Sequence, residues 1–291
     1  MTYPPSDPRD FPDPFVVVAD GGYLALATNA RGSNVQVMAS TDLVGWAPRP
    51  DALPRLPAWG ASGFTWAPSV LERPGGYVLY YTVREPRAGL QAISCGASAD
   101  PGGPFADTSS GPLVYQQHLG GSIDPSPFVD TDGTAYLLWK ADANAVRQRA
   151  SLWIQALTDD GLALAGQAVR LLDCDARWER PLVEAPCLVH DAGTYYLFYS
   201  ANWWNTDRYA VGYATATAVL GPYTKATRRR PWFGSDRSVS GPGGQECFVD
   251  LSGQLRMAFH GWMPRRVGYP LGARSLRLAT LSFSQGAPVL S

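Results

Sequence analysis

Short apolar runs separated by polar turns recur along the whole chain, and the clearest instance is EAPCLVHDAGTYYLFYS at residues 184–200. Its apolar runs, Cys187–Val189 and Tyr195–Tyr199, flank a polar turn at Asp191 and Gly193. Two short runs of apolar and aromatic residues on either side of such a turn are typical of an antiparallel hairpin. The pattern therefore predicts two paired strands that begin just after an Ala-Pro step.

The same arrangement occurs five times, each time led by a proline, at intervals of 54 to 61 residues. The leading prolines are Pro14, Pro68, Pro125, Pro186 and Pro242. Each unit carries two β-rich runs and then a third, and such repetition of small antiparallel sheets is typical of a β-propeller. We therefore predict an all-β chain that forms a single five-bladed β-propeller domain over residues 1–291, with blades starting near residues 13, 67, 124, 185 and 242.

The chain ends and the hairpin turns complete this prediction. The last unit begins weakly after Pro242, and the chain ends soon after it. We therefore expect a terminal segment to complete a blade where the ring closes, and the sequence favours neither terminus for this role. Aspartates beside glycine or serine mark the hairpin turns, where their side chains satisfy the backbone. These turn residues are Asp20, Asp132, Asp191 and Asp250.

Composition restricts the partners and the compartment. The net charge is −1 and Arg228–Arg230 is the one long charge run, so we expect neither nucleic acid nor a membrane as partner, and a monomer. Four widely spaced cysteines without a CxxC pair are expected to be buried free thiols. No signal-peptide pattern is present at the start. We expect a cytoplasmic protein, or a secreted one if a signal peptide has been removed.

Carboxylates occupy the starts of three of the five units, at Asp13, Asp124 and Glu184. The innermost strands of a propeller run in one direction along the axis, so their first residues meet at one mouth of the channel. Three acids in a narrow site raise one another's pKa, which costs free energy that a purely structural role would not require. A backbone-capping role at a turn or strand start would explain one of these acids well, but it explains all three poorly.

Glycosidic bond hydrolysis requires two such groups, one protonated acid for the leaving oxygen and one ionised base for water. A third acid can keep the first one protonated and aimed. The three acids therefore suggest a glycosidase.

Five motifs in this order and spacing resemble those of glycoside hydrolase family 43, the five-bladed propeller enzymes that act on arabinose- and xylose-containing polysaccharides. The motifs are Phe11-Pro12-Asp13-Pro14, Trp66-Ala67-Pro68, Ser122-Ile123-Asp124-Pro125, Glu184-Ala185-Pro186 and Ser240-Gly241-Pro242-Gly243. The resemblance covers nearly the whole chain. It implies an inverting mechanism with Asp13 as general base, Glu184 as general acid and Asp124 as the residue that tunes and orients Glu184.

The resemblance also implies the spacing and charge states of these groups. Base and acid are expected about 6.5 to 9.5 Å apart, which leaves room for a water molecule. In the resting enzyme Glu184 should be protonated, whereas Asp13 and Asp124 should be ionised.

The expected activity is that of an exo-acting α-L-arabinofuranosidase that releases arabinose from arabinan or arabinoxylan. The alternatives are a β-D-xylosidase, an endo-arabinanase, or a propeller that binds glycans without cleaving them. Sugars present flat C–H patches and a fan of hydroxyls, so aromatic faces and an arginine are expected to bind them. The candidates for substrate binding are Trp66, Phe64, Trp203, Trp204 and Arg274.

No cofactor is expected to be required, although the resemblance raises the question of an ion on the propeller axis. Many family members carry a histidine after the Gly-Pro-Gly of the fifth unit, where this chain has Gly243-Gly244-Gln245. His260 can take the axial role, with calcium as the first candidate ion, or it can be a hydrogen-bonded core histidine. Calcium normally takes oxygen ligands, and the sequence offers no dedicated cage for it.

Overall fold

The computed structural model describes residues 3–19 and 21–291. In these residues nineteen strands form five antiparallel sheets arranged as a five-bladed β-propeller, which confirms the predicted fold. Four sheets have four strands and the second has three, and within each sheet the strands follow one another in chain order.

The strands of the first three blades are as follows. Blade one contains β1 (Phe15–Ala19), β2 (Gly22–Ala27), β3 (Gln36–Ser40) and β4 (Ala47–Arg49). Blade two contains β5 (Ala61–Arg73), β6 (Gly76–Glu85) and β7 (Leu90–Ser98). Blade three contains β8 (Ser122–Val129), β9 (Ala135–Ala141), β10 (Ser151–Leu157) and β11 (Leu164–Asp173).

The last two blades and three single-turn 3₁₀ helices complete the fold. Blade four contains β12 (Val183–Asp191), β13 (Thr194–Ala201), β14 (Ala210–Ala216) and β15 (Thr224–Lys225). Blade five contains β16 (Ser240–Val249), β17 (Leu255–Trp262), β18 (Arg274–Ser284) and β19 (Ala287–Leu290). The 3₁₀ helices are Gln117–Leu119, Ala143–Val146 and Arg177–Glu179.

A backbone kink repeats just before the leading proline of every blade. The residue there has a positive φ, a left-handed conformation that residues with a side chain rarely adopt. The five residues and their φ angles are Asp13 (55°), Ala67 (44°), Asp124 (56°), Ala185 (48°) and Gly241 (55°). In blades two to five the pairing register between the first and second strands shifts at this place. Such irregularities re-aim side chains, and here they mark the mouth of the channel.

The hydrophobic core lies between the blades. Five clusters of buried side chains fill the five interfaces, so each blade packs its two faces against its two neighbours. Phe198 and Phe259, for example, fill the interface between blades four and five, and Leu79 and Phe105 that between blades one and two. The site at the axis therefore rests on five separately packed sheets.

Both ends of the chain attach to β18. The C-terminal strand β19 pairs with its second half, from Leu281 to Ser284. The segment before β1 follows its first half, because the backbone N–H groups of Ser6 and Phe11 donate to the carbonyl oxygens of Leu276 and Arg274. The predicted closing segment is thus supplied by both termini.

Several smaller expectations concern the turns and the cysteines. Asp132 and Asp250 accept hydrogen bonds from the backbone of their hairpin turns, Asp191 ends β12 and pairs with Thr194 across its turn, and Asp20 lies outside the described residues. All four cysteines are free, and two of them are buried. Among the described residues, no helix has the length and apolar character that crossing a membrane would take.

Candidate active site

A cavity of about 540 Å³ opens at the mouth of the channel, and all five blades contribute to its walls. The three predicted carboxylates, Asp13, Asp124 and Glu184, all line it. Asp13 lies two residues before β1, Asp124 lies in β8, and Glu184 lies in β12. The kink repeated at the blade starts therefore brings these three side chains to one place.

Asp13 is surrounded by groups that favour its ionised form. The hydroxyl of Thr28 donates to Asp13 Oδ2 at 2.6 Å, and Arg274 Nη1 lies 3.9 Å from Oδ1. Burial alone would raise the pKa of Asp13, but the charge of Arg274 and the hydroxyl donated by Thr28 hold it well below its usual range. Asp13 is therefore a carboxylate at neutral pH, as a general base must be.

Glu184 has a donor on each oxygen. The ammonium group of Lys140 lies 2.9 Å from Oε2, and the hydroxyl of Tyr209 donates to Oε1 at 2.8 Å. Asp142 binds the same ammonium group at 2.9 Å. Burial opposes the charge of Lys140, but Glu184 and Asp142 more than compensate and raise the pKa of this lysine above its usual value.

Asp124 lies beside Glu184 and accepts a hydrogen bond from the backbone N–H of Ala185 at 2.9 Å. Burial and then the charge of Glu184 raise the pKa of Asp124 well above its usual value. This direction contradicts the expectation that Asp124 stays ionised in the resting enzyme. The reason is that Lys140 lies against Glu184, so Asp124 is the member of the pair with less compensation for its charge.

Aromatic side chains form part of the wall. Trp66, Trp203 and Trp204 line the cavity, and Trp203 at its rim is 40% exposed. The guanidinium group of Arg274 lies over the ring of Trp204 at 4.5 Å, which places this predicted residue in the site. Phe64 does not line the cavity; its ring packs edge-on against Trp66 and beneath Arg84.

His260 is buried and binds the backbone of the general-base candidate. Its Nδ1 accepts the N–H of Asp13 at 3.0 Å, and its ring stacks on Tyr209 at 5.9 Å. Burial lowers the pKa of His260, so the ring is neutral and its proton lies on Nε2. Nε2 is buried without a hydrogen-bond partner among the described residues.

These residues do not fit a directly held metal ion. Ligation of a cation by Nε2 would require its proton to move to Nδ1, which could then no longer accept the N–H of Asp13, and the described residues contain no group of three or more His, Cys, Asp or Glu placed to hold a metal ion. The space on the axis next to Asp13 and Asp124 is about 20 Å³, enough for about one water molecule. Calcium at this place stays a prediction, and no step of the chemistry below depends on it.

Sequence reasoning missed several residues of the site. Lys140, Asp142, Tyr209 and Asn144 all line the cavity, and the side-chain oxygen of Asn144 is buried there without a partner among the described residues. The one available signal was Lys140, a charged residue at the end of the apolar run Ala135–Trp139. Tyr209 directly precedes β14, whose apolar pattern gives no sign of the contact between Tyr209 and Glu184.

This mouth can activate water at the ionised Asp13 and can deliver a proton from the Asp124–Glu184 pair. Placing a base and a proton donor around one bond in an aromatic-walled cavity is the chemistry of a glycosidase. The comparison with known proteins agrees. The chain belongs to glycosyl hydrolases family 43, whose family model matches residues 5–288.

Known relatives and structures are similar over much of the chain. An arabinoxylan arabinofuranohydrolase of Bacillus subtilis is 27% identical over 67% of this chain and 42% of its own length. Alpha-L-arabinofuranosidase 43 of Humicola insolens is 27% identical over 83% of this chain and 52% of its own, and a putative beta-xylosidase of Xylanibacter ruminicola is 25% identical over 73% and 38%. The chain thus spans about two fifths to half of the length of these relatives.

Among solved structures, a thermostable family-43 glycoside hydrolase superposes with a TM-score of 0.90 at 27% identity, covering 100% of this chain and 96% of the other. An endo-1,4-beta-xylanase of Bacteroides thetaiotaomicron gives a TM-score of 0.81 at 26% identity, covering 97% and 94%. The propeller alone accounts for nearly the whole of both structures.

Proposed function

We propose that this chain is an exo-acting α-L-arabinofuranosidase that releases arabinose from arabinan or arabinoxylan with inversion. The observation that carries the proposal is the cavity of about 540 Å³ walled by all five blades, with Asp13 and the Asp124–Glu184 pair in one enclosure. A single cavity of this size at the end of the channel suits the end of a chain or a side branch better than the middle of a polymer.

In this mechanism Asp13 takes a proton from water, which attacks the anomeric carbon while Glu184 gives its proton to the leaving oxygen. The carbon–oxygen bond to the leaving group breaks as the bond to water forms. Inversion requires space for that water, so we expect the Asp13 and Glu184 carboxyl groups about 6.5 to 9.5 Å apart. Asp124 tunes how tightly Glu184 holds its proton and orients the Glu184 side chain.

The remaining wall supplies contacts for a pentose. Trp66 and Trp203 offer flat faces for C–H patches, and Arg274, fixed over Trp204, offers donors for hydroxyls. The unpartnered oxygen of Asn144 can accept a hydrogen bond from a sugar hydroxyl. Two relatives are named for arabinofuranose release, which favours arabinose as the sugar.

β-D-Xylosidase activity is the second candidate, because two similar proteins are named for it, one a putative beta-xylosidase and one a beta-xylosidase. The two sugars are separated by comparing wild-type hydrolysis of p-nitrophenyl α-L-arabinofuranoside with that of p-nitrophenyl β-D-xyloside. Proton NMR of the first product released then gives the stereochemistry, and the inverted anomer is expected.

Four outcomes decide between the candidates. Faster cleavage of the arabinoside supports the proposal, and faster cleavage of the xyloside replaces the sugar while keeping the mechanism. Binding of arabino- or xylo-oligosaccharides without cleavage of the aryl glycosides or of the oligosaccharides themselves would identify a glycan-binding propeller, whereas internal cleavage of the oligosaccharides alone would identify an endo-acting enzyme. A retained anomer would reject the role of Asp13 as a base acting through water.

A further inference from the structure

The inner strands of neighbouring blades are connected by a repeated hydrogen bond. In blades one and two, a hydroxyl of the second strand accepts the backbone N–H of the left-handed residue that starts the next blade. Thr28 accepts from Ala67 at 2.9 Å, and Thr82 accepts from Asp124 at 3.1 Å. Each contact ties one blade start to the blade before it.

Blade three breaks this repeat. Lys140 pairs with Ile123 in register just as Thr82 pairs with Trp66 and Ser200 with Glu184, so a lysine stands where blades two and four have a hydroxyl residue. An ammonium group has donors and no acceptor. The N–H of Ala185 therefore bonds to Asp124 Oδ2 instead, and Lys140 reaches past it to Glu184.

Having a lysine instead of a hydroxyl residue at this position costs desolvation energy, and its effect is confined to the groups around Lys140. The Lys140 side chain is only 1% exposed, and it lies between Glu184 Oε2 and Asp142 Oδ1, each at 2.9 Å. Burying a charge among carboxylates of a cavity costs desolvation energy that a threonine would avoid. This arrangement places a fixed positive charge in direct contact with Glu184, the proposed proton donor of the site.

We propose that Lys140, held by Asp142, is a positioning residue that keeps Glu184 ionised in the free enzyme, so that the proton shared by Asp124 and Glu184 rests on Asp124 until substrate binds. This inference rests on the proposed function of Glu184 as general acid. Lys140 on Oε2 and Tyr209 on Oε1 both donate to Glu184, and donors of this kind favour the charged carboxylate. The raised pKa of Asp124 agrees with the same distribution.

The step upon binding is an exchange of one proton. Asp124 loses its proton and becomes a carboxylate, while Glu184 gains a proton and becomes the neutral acid that protonates the leaving oxygen. The total charge of the pair is unchanged. Inversion leaves Asp13 holding the proton taken from water, and exchange with solvent restores both groups.

The other charged and titratable groups around the pair come from the first, second and third strands of blades one, three, four and five and the segments next to them. They are Asp13 before β1, Lys140 of β9, Asp142 after β9, Tyr209 before β14, Glu246 of β16, His260 of β17 and Arg274 of β18. Among them Lys140 is the cation in direct contact with Glu184. Its removal should therefore change the proton affinity of the pair more than the removal of any other member.

The test compares pH profiles of kcat/KM, which report groups of the free enzyme. K140M removes the cation, so the pair holds its proton more tightly and the alkaline limb should move to higher pH by about one to three units. D142N removes the second carboxylate beside Lys140, so the cation stabilises ionised Glu184 more strongly. The alkaline limb should then move to lower pH. The substrate is a linear arabino-oligosaccharide, whose poor leaving group needs the acid.

K225M is the matched control. Lys225 is also buried between two carboxylates, Asp175 and Glu179, at 2.7 Å from each, but none of the three lines the cavity. K225M should lower thermal stability without moving either limb. If K140M and D142N lower activity by the same factor at all pH values and move neither limb, Lys140 is a structural residue and the proposal is overturned.

A second measurement needs neither turnover nor K140M. Wild-type protein with ¹³C-labelled glutamate carboxyl groups is titrated without substrate, and the Glu184 signal is identified by its loss in E184Q. The proposal expects that signal to be that of a carboxylate at neutral pH; a protonated Glu184 there would overturn it. Failure of wild-type hydrolysis would instead reject the proposed function, and this titration would still decide the state of Glu184.

Discussion

Asp13 and Glu184 are carboxylates at the same channel mouth, and their partners distinguish them. Asp13 has a hydroxyl donor, a guanidinium group at 3.9 Å and a neutral histidine on its backbone. Glu184 forms a salt bridge with Lys140, and its charge acts on the neighbouring Asp124. The first arrangement fixes one charge state, as a base requires. The second allows a proton to move, as an acid requires.

Replacing Glu184 with glutamine should remove the proton donor while keeping the shape of the site. We expect kcat on arabino-oligosaccharides to fall by about 10²- to 10⁴-fold. With an aryl leaving group that hardly needs protonation, the loss should be much smaller. E72Q, the same change at an exposed position of β5, is the control. Equal losses of E184Q on both substrates would count against the acid role.

The charge of Arg274 should govern the acidic limb of the pH profile. The folded protein holds the pKa of Asp13 below its usual value, so the base stays ionised until the pH falls through that lowered value. R274M removes the guanidinium group, the pKa of Asp13 rises, and the acidic limb of kcat/KM should move to higher pH. R256M, which breaks the contact with Asp250 away from the cavity, should leave the limb in place. An acidic limb that R274M does not move would show that Arg274 contributes binding alone.

At the scale of elements, the hydrophobic pattern predicted the hairpins, because alternating burial in a sheet leaves a direct trace in the sequence. The kink before each proline left no such trace. A proline restricts the residue before it toward extended conformations, yet here five such residues are left-handed. Alanine at two of these positions shows that neighbouring blades, rather than local preference, impose the conformation.

The same limit applies to the site. Asp13, Asp124 and Glu184 were predictable because the repeat aligns blade starts, and Trp66 followed from the same alignment. Lys140 lies near the end of β9, and Tyr209 lies directly before β14. At these positions the register of the kinked first strand decides which side chain reaches the axis. That register depends on pairing across strands, which one sequence does not reveal. His260 illustrates the point, because its contact with Asp13 joins residues 247 positions apart.

Gly244 tests how closely the fifth blade supports the base. It has a φ of +57°, and a Cβ there would lie 2.5 Å from the His260 ring and 2.8 Å from Asp13 Oδ1. G244A should therefore lose most activity as well as stability. G253A is the matched control, since Gly253 has a φ of +82° and nothing within 4 Å of an added Cβ. It should cost about 1 to 2 kcal/mol of stability and leave kcat unchanged. Full activity of G244A would show that the position of the His260 ring is not required for Asp13 to act.

At the scale of the whole molecule, five similar interfaces close a ring, but one of them joins the two ends of the chain. The cluster between blades five and one contains Phe11, Val16 and Leu276, and the segment before β1 reaches β18 through two backbone hydrogen bonds. No strand of blade one is exchanged into blade five among the described residues. At this interface the chain crosses only as the segment before β1, which is joined to β18 by packing and hydrogen bonds, whereas at every other interface the chain continues from a strand of one blade into a strand of the next.

This difference predicts where the ring opens first. Phe11 is 1% exposed and Phe105 is 3% exposed, and each fills one interface, so F11A and F105A should both cost about 3 to 5 kcal/mol of unfolding free energy. Their effects on local opening should differ, because only F11A weakens the interface at which no strand-to-strand connection of the chain joins the two blades. Amide hydrogen exchange should accelerate in β1 and β18 of F11A well before it does in blades two to four, whereas F105A should accelerate exchange mainly around β2 and β6. Since Asp13 precedes β1 and Arg274 begins β18, opening at this interface would separate the base from its cation. F11A should therefore lose activity at temperatures below its global unfolding, and coincident loss of activity and fold in both variants would show that the ring opens as one unit.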